Sequence, residues 1–115
     1  MISLHIIADN CPQERLDRAL LYLTRTQQTA VNIAGGSQLD RAMQFVERVR
    51  QALPNIIIFW RVLEDTGNIF KMSTNQWWTE RVQPRLKWMQ DNRVVMVIDN
   101  ESSGNDSQIV NYVTL

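Results

Sequence analysis

Short apolar runs alternate along this chain with segments of helical spacing, and that alternation constrains the fold more than any other feature. The apolar runs cover 2–8, 30–34, 56–62 and 94–98. Runs of this length and composition are typical of strands that are covered on both sides. Strands that alternate with helices predict an α/β fold in which a parallel sheet is connected by right-handed crossovers.

The segments between the runs are predicted to be helices. Leu16, Ala19, Leu20 and Leu23 lie at helical spacing within 12–26. A second helix begins at Ser37, and a third carries the apolar residues Trp77, Trp78, Val82, Leu86 and Met89. Pro84 lies inside this third segment, where it predicts a kink, or a break followed by a fresh helical turn. A final helix is predicted around 109–113. No linker interrupts the pattern, so 1–115 is expected to be a single domain.

Charge and cysteine content exclude several functional classes. Twelve Lys and Arg balance twelve Asp and Glu, so nothing in the charge indicates a nucleic-acid or anionic-membrane partner. Cys11 is the single cysteine, and no Cys/His cluster has zinc-ligand spacing, so we expect neither a metal nor a cofactor. The chain shows no signal peptide, and its apolar stretches fall short of the ~20 residues of a membrane helix. A cytoplasmic location is therefore expected.

Each predicted strand has one apolar face and one face with a polar residue, because side chains alternate along a strand. The residues that share the polar faces are His5, Asn32, Arg61, Asp99 and Glu101. A strand between two helix layers has little reason to carry a polar group on the same face every time. In a closed barrel there is such a reason, because the inward face leads to the solvent-filled opening where the active site lies. The pattern favours four βα units of a half (β/α)8 barrel in the order 1-2-3-4.

Structural explanations of the same residues remain open. A histidine in a strand, such as His5, is more often a hydrogen-bonded core residue than a catalyst. Arg61 is equally consistent with an ion pair, and Asn32 with a turn. The tryptophans of the third helix suit packing better than sugar binding. Glu101 is the residue for which a functional role is favoured.

The fourth apolar run ends in Asp99-Asn100-Glu101. Asn-Glu after a fourth barrel strand resembles the acid/base motif of clan A glycoside hydrolases, and the segment 77–86 resembles the helix before strand four in such proteins. The resemblance implies a (β/α)8 barrel that hydrolyses O-glycosidic bonds in carbohydrate metabolism, with Glu101 as general acid/base. Asn100 would bind the sugar 2-hydroxyl, with Asp99, Arg61, His5 and Asn32 as further substrate-binding residues.

The chain also departs from that family. The proline that commonly follows Asn-Glu is Ser102 here, and the arginine often found after strand two is absent, with Arg61 on strand three instead. No residue of 1–115 corresponds to the nucleophile after strand seven. The chain is therefore expected to be an amino-terminal fragment that is inactive alone and that associates through its open sheet.

Two alternatives remain. The first is a complete small flavodoxin-like or receiver-like domain that acts in binding or signalling. A receiver usually has paired Asp residues after strand one and an Asp after strand three, whereas Asp9 is alone here and strand three runs into Arg61-Val-Leu-Glu64. The second is a barrel that binds carbohydrate or a protein without catalysis.

Overall fold

Four parallel strands form one sheet in the computed structural model, which describes residues 4–8, 10–35, 38–62 and 74–98. The strands are β1 (Leu4–Ile7), β2 (Ala30–Gly35), β3 (Ile57–Val62) and β4 (Val94–Ile98). They lie in the order β1-β2-β3-β4, and every neighbouring pair is parallel. The predicted α/β class and sequential order are confirmed. A doubly wound sheet reverses its strand order at a switch point, and these four strands contain no such reversal.

The strand register sets which residues lie side by side across the sheet. One row joins His5, Asn32, Phe59 and Val95, and the row two residues further along joins Ile7, Ala34, Arg61 and Val97. Because paired residues in a parallel sheet point to the same side, each row belongs to one face. The neighbouring rows, which include Ile6, Ile33 and Trp60, belong to the other face.

The core lies between that second face and the helices. Helices α1 (Gln13–Arg25) and α2 (Leu39–Ala52) follow β1 and β2. Their apolar stripes bury Leu16, Leu23, Ala42, Phe45, Val46 and Val49 against the strand residues Ile6, Val31, Ile33, Ile58 and Trp60. Each large side chain buried in this way contributes about 1.5–3 kcal/mol. The helices that the structure describes therefore pack on one side of the sheet.

Pro84 interrupts the third helical segment, as the sequence predicts. The segment begins as α3 (Thr74–Trp77) and continues through a π-helical turn, Trp78–Val82, and a 3₁₀ turn, Gln83–Arg85. Regular α-helix resumes as α4 (Leu86–Asp91). Proline has no N–H to donate to the preceding turn, so the regular hydrogen-bond ladder stops near it. Val82 and Met89 on either side of the break are nevertheless buried in the core.

Gln27, two residues after the end of α1, has a backbone conformation that normally favours glycine. Its φ is 49°, and the N–H of Gln28 donates to the carbonyl of Leu23 at 3.3 Å, as in a Schellman motif. A residue with a Cβ loses about 1–2 kcal/mol in this region, whereas glycine loses less. We expect Gln27→Gly to raise the free energy of unfolding by about 0.5–1 kcal/mol in urea denaturation.

The matched control for this change is Gln28→Gly. Gln28 does not have a positive φ, and its side-chain amide donates to the Thr26 hydroxyl at 3.1 Å. Glycine at this position should lower stability, because it adds freedom to the unfolded chain and removes the side-chain hydrogen bond. An equal effect of the two substitutions would contradict the backbone explanation.

Arg50 joins three segments at the amino edge of the sheet. Its guanidinium donates to the carbonyls of Pro54 at 2.9 Å and Ile56 at 2.7 Å, and its Nε donates to the carbonyl of Asn92 at 2.8 Å. Longer bonds reach the carbonyls of Leu53 and Arg93, both at 3.4 Å. Burial, and secondarily the charge of Arg93, lower the pKa of Arg50 below its ordinary value. The end of α2, the start of β3 and the turn before β4 are thus held together by one side chain.

The face of the sheet opposite the helices stays open within the described part of the chain. Ile7 is 53% exposed, Ile57 50% and Val95 48%. Phe59, Val97 and Asn32 are half-buried. Half-exposed apolar side chains on neighbouring strands form a contiguous patch, and such patches are unusual on the surface of a monomeric protein. We name this surface the open face, and by the strand register it consists of His5, Ile7, Asn32, Ala34, Ile57, Phe59, Arg61, Val95 and Val97.

Candidate functional site

The carboxyl edge of the sheet is the expected position of a site in parallel α/β folds. Two contacts fix the part of this edge that the structure describes. The backbone N–H of Asn10, just after β1, donates to Oε1 of Gln38 at 2.6 Å, and Arg41 donates to the carbonyl of Cys11. The loop after β1 is therefore tied to the start of α2, which gives this edge a defined shape.

His5 and Asn32 lie side by side on the open face. They are paired residues of β1 and β2. The His5 side chain is exposed and that of Asn32 is half-buried, and both residues already have non-covalent partners. The register therefore places these two polar residues beside each other in the sheet. They are imidazole and amide groups, each of which can both donate and accept hydrogen bonds.

Arg61 lies nearer the carboxyl edge than these two residues. The partner of Asn32 on β3 is Phe59, so Arg61 is two residues further along its strand. At ~3.3 Å per residue, that is ~7 Å toward the edge. Because of this offset, His5, Asn32 and Arg61 do not share one row of the sheet. Asp99, Asn100 and Glu101 lie outside the described residues, so their predicted convergence with the other three stays a prediction.

Sequence reasoning did not single out Gln38 and Arg41, although both help to shape the carboxyl edge. Gln38 immediately precedes α2, and its side chain bonds to the β1–α1 loop rather than capping its own helix. Arg41 lies in the first turn of the same helix. Their partners are backbone groups 28 and 30 residues away, and no local sequence pattern identifies a partner at that separation.

The tryptophans of the third helical segment contribute to packing where the structure describes their side chains. Trp88 meets Trp60 edge to face, with 5.2 Å between ring centroids and 63° between planes. Its indole N–H donates to Oε1 of Glu47 at 2.8 Å. Trp78 packs against the same core. The prediction that Trp78 and Trp88 are packing residues is confirmed, while the side chain of Trp77 lies outside the description.

Neither a metal site nor a membrane span is found in the described parts of the chain. Within 4–8, 10–35, 38–62 and 74–98, no three His, Cys, Asp or Glu side chains are grouped as metal ligands. No helix in the same ranges has the length and apolar character needed to cross a bilayer. Cys11 is a free thiol of intermediate exposure.

Comparisons of the chain with protein-family models, with curated proteins and with solved structures give no match.

Proposed function

We propose that residues 1–115 form the first four βα units of a barrel of glycoside hydrolase type, in which Glu101 is the general acid/base. Asn100 binds the sugar 2-hydroxyl in this proposal. Asp99 and Arg61 flank the sugar at the mouth of the barrel, and His5 and Asn32 lie one level deeper. The substrate class is an O-linked glycoside.

One observation carries the proposal: the described strands lie in sequential order, and Asn100 and Glu101 come two and three residues after the end of the fourth. Strand β4 ends at Ile98 and pairs with β3 on one side. The order β1-β2-β3-β4 is that of consecutive barrel strands. Had β1 lain between β2 and β3, as in flavodoxin-like domains, Glu101 would have followed an edge strand of a doubly wound sheet.

The open face supports the barrel part of the proposal. Barrel strands need helices on the outside alone, while their inner face is filled by side chains from the other strands. Here the helices pack against the face of Ile6, Ile33 and Trp60, and the opposite face carries exposed Ile7 and Val95. A sheet that is covered by helices on one face and carries exposed apolar residues on the other is expected for half of such a barrel.

The chemistry follows from the position of two carboxyl groups. As a general acid, Glu101 gives its proton to the glycosidic oxygen while a second carboxylate ~5 Å away attacks the anomeric carbon. Glu101 then acts as a base and removes a proton from the water that releases the sugar. Asn100 contributes through a hydrogen bond to the 2-hydroxyl, which strengthens in the transition state.

Sugar recognition by Asn100 is tested on the 115-residue chain by titrating ¹⁵N-labelled protein with phenyl glycosides and with their 2-deoxy analogues. We expect the parent glycoside to bind about two- to tenfold more tightly than its 2-deoxy analogue, the value of one hydrogen bond of about 0.5–1.5 kcal/mol. Asn100→Ala should remove that preference.

The control for this titration is Asn55→Ala, an exposed asparagine just before β3 at the amino edge of the sheet. It should leave the preference for the 2-hydroxyl unchanged. If no glycoside shifts any resonance, or if Asn100→Ala keeps the full preference, the proposed role of Asn100 is wrong.

The 115-residue chain is expected to show no turnover of activated aryl glycosides. A retaining mechanism needs its nucleophile for the covalent step, and residues 1–115 contain no carboxylate after a seventh strand. Release of the aryl group is followed by absorbance, with Glu101→Gln beside the wild type. Turnover that disappears in Glu101→Gln would overturn the half-barrel interpretation and would indicate a site complete within these residues.

A further inference from the structure

A groove of about 510 Å³ lies on the outer side of α2, in the layer of helices and away from the open face. Its volume is within the range of about 300–1,000 Å³ that small-molecule sites occupy. Such sites are usually lined by apolar side chains, whereas every residue around this groove is polar or charged. The lining residues are Gln44, Glu47, Arg48, Arg50, Gln51 and Asn92. A lining of this kind selects a ligand that forms hydrogen bonds.

Two contacts hold the side walls of the groove in place. Glu47 accepts a hydrogen bond from the indole N–H of Trp88 in α4 at 2.8 Å. Arg48, the next residue of α2, pairs with Asp17 of α1 at 2.8 Å. Neighbouring side chains of α2 are therefore held by different helices, and the groove has its shape before a ligand binds. A preformed site lowers the ordering cost of binding.

The charged groups of the lining are already engaged within the protein. Asp17 neutralises Arg48, and the guanidinium of Arg50 donates to backbone carbonyls. An anionic ligand would compete with Asp17 and approach the carboxylate of Glu47, while a cationic ligand would meet two guanidinium groups. Because each of these arrangements opposes like charges, the lining disfavours a charged ligand. The groove therefore suits a neutral ligand.

Gln44 and Gln51 carry side chains that remain available to a ligand. Both residues are exposed, and no hydrogen bond within the described parts of the chain engages their side-chain amides. They lie on one face of α2 at a separation of two helical turns, ~10 Å at 1.5 Å per residue. An amide both donates and accepts hydrogen bonds, as a hydroxyl does. Two amides at this separation match the hydroxyls of two linked sugar rings.

We propose that this groove binds a neutral disaccharide through its hydroxyl groups. Gln44 contacts one ring and Gln51 the other, while Oε2 of Glu47 accepts a hydrogen bond from a hydroxyl between them. The groove shares no residue with the site proposed at the carboxyl edge of the sheet. The inference therefore goes beyond the proposed function and depends neither on the half barrel nor on the chemistry of Glu101.

The test is a titration of the ¹⁵N-labelled 115-residue chain with cellobiose and with maltose. With at least one of them we expect saturable shifts of the side-chain amide resonances of Gln44 and Gln51 and of the α2 backbone between them. Gln44→Ala and Gln51→Ala each remove one hydrogen bond and should weaken binding about two- to tenfold. Both positions are exposed, so circular dichroism should show that the variants remain folded. The matched control is Gln90→Ala, which changes an exposed glutamine of α4 outside the groove and should bind like the wild type.

A charged form of the same sugar tests the argument from charge. The disaccharide that binds more tightly is compared with the form in which one hydroxymethyl group is oxidised to a carboxylate. The neutral sugar should bind more tightly. Equal or tighter binding of the carboxylate form would show that the lining does not select a neutral ligand, and the proposal would be wrong.

Other outcomes also decide against the groove. The proposal fails if neither disaccharide gives a saturable shift, or if Gln44→Ala and Gln51→Ala both keep the full affinity. Asn100→Ala should leave the disaccharide shifts unchanged, and their loss in that variant would place the sugar at the carboxyl edge instead. Gln44→Ala should in turn leave the 2-hydroxyl preference of the phenyl glycosides unchanged, so failure of the groove and failure of the proposed function are separate results.

Discussion

Replacing Trp60 by alanine is expected to lower the free energy of unfolding by about 3–5 kcal/mol, a large fraction of the ~5–15 kcal/mol that stabilises a domain. Trp60 lies in the middle of β3, is 2% exposed, and packs against Trp88 of α4. Alanine removes the buried ring and leaves a cavity between the sheet and the helices. Urea denaturation followed by circular dichroism at fixed protein concentration measures the change.

Trp88→Phe provides the comparison for Trp60→Ala. Trp88 is partly buried, and its indole N–H bonds to Glu47 at 2.8 Å. We expect a loss of about 1–2 kcal/mol, because phenylalanine keeps most of the apolar contact and loses one hydrogen bond. The double variant should show a coupling of about 0.5–1.5 kcal/mol from the edge-to-face contact. Additive effects would mean that the two rings do not stabilise each other.

Arg50→Lys is the second substitution with a large expected effect, a loss of about 2–4 kcal/mol. The guanidinium of Arg50 binds the carbonyls of Leu53, Pro54, Ile56, Asn92 and Arg93. A single ammonium cannot reach all of these acceptors, and partly buried carbonyls lose their donor. The charge is kept in this variant, so the loss reports the geometry of the guanidinium. Urea denaturation measures it, with hydrogen exchange at the start of β3 and β4 as the local readout.

Arg48→Lys, two residues earlier on the same helix, is the matched control. Arg48 forms an exposed ion pair with Asp17 of α1 at 2.8 Å. Hydrogen bonds from Gln13 and then from Arg48 lower the pKa of Asp17, but an exposed pair of this kind contributes little to stability. The substitution should change the free energy of unfolding far less than Arg50→Lys. Similar losses for the two variants would mean that the carbonyl contacts of Arg50 do not matter.

The strands were the most predictable elements, because each is a short apolar run with a clear end. The runs 30–34, 56–62 and 94–98 differ from β2, β3 and β4 by at most one residue at either end. The helical segment around Pro84 was also predictable, since the missing N–H of proline acts locally. Only its detail, a π-helical turn followed by a 3₁₀ turn, could not be derived, because it depends on how Val82 and Met89 reach the core.

The candidate site was predictable only in part. Alternation along each strand identified His5 and Asn32 as residues of one face, and the register shows them as direct neighbours. Alternation could not show how far along the strand direction Arg61 lies relative to Asn32. That position depends on the strand register, in which Asn32 pairs with Phe59. The contact between Asn10 and Gln38 at the carboxyl edge was likewise hidden, since its partners are distant in sequence.

The sequence by itself determined the α/β alternation, the strand positions and the position of Asn100 and Glu101 directly after the fourth apolar run, because these follow from local patterns of apolar and polar residues. Tertiary structure alone decided the register and the Arg50 contacts that join α2 to the starts of β3 and β4. Those features depend on contacts between groups that are distant in sequence. Such contacts form only when the chain folds, so a local sequence pattern does not predict them.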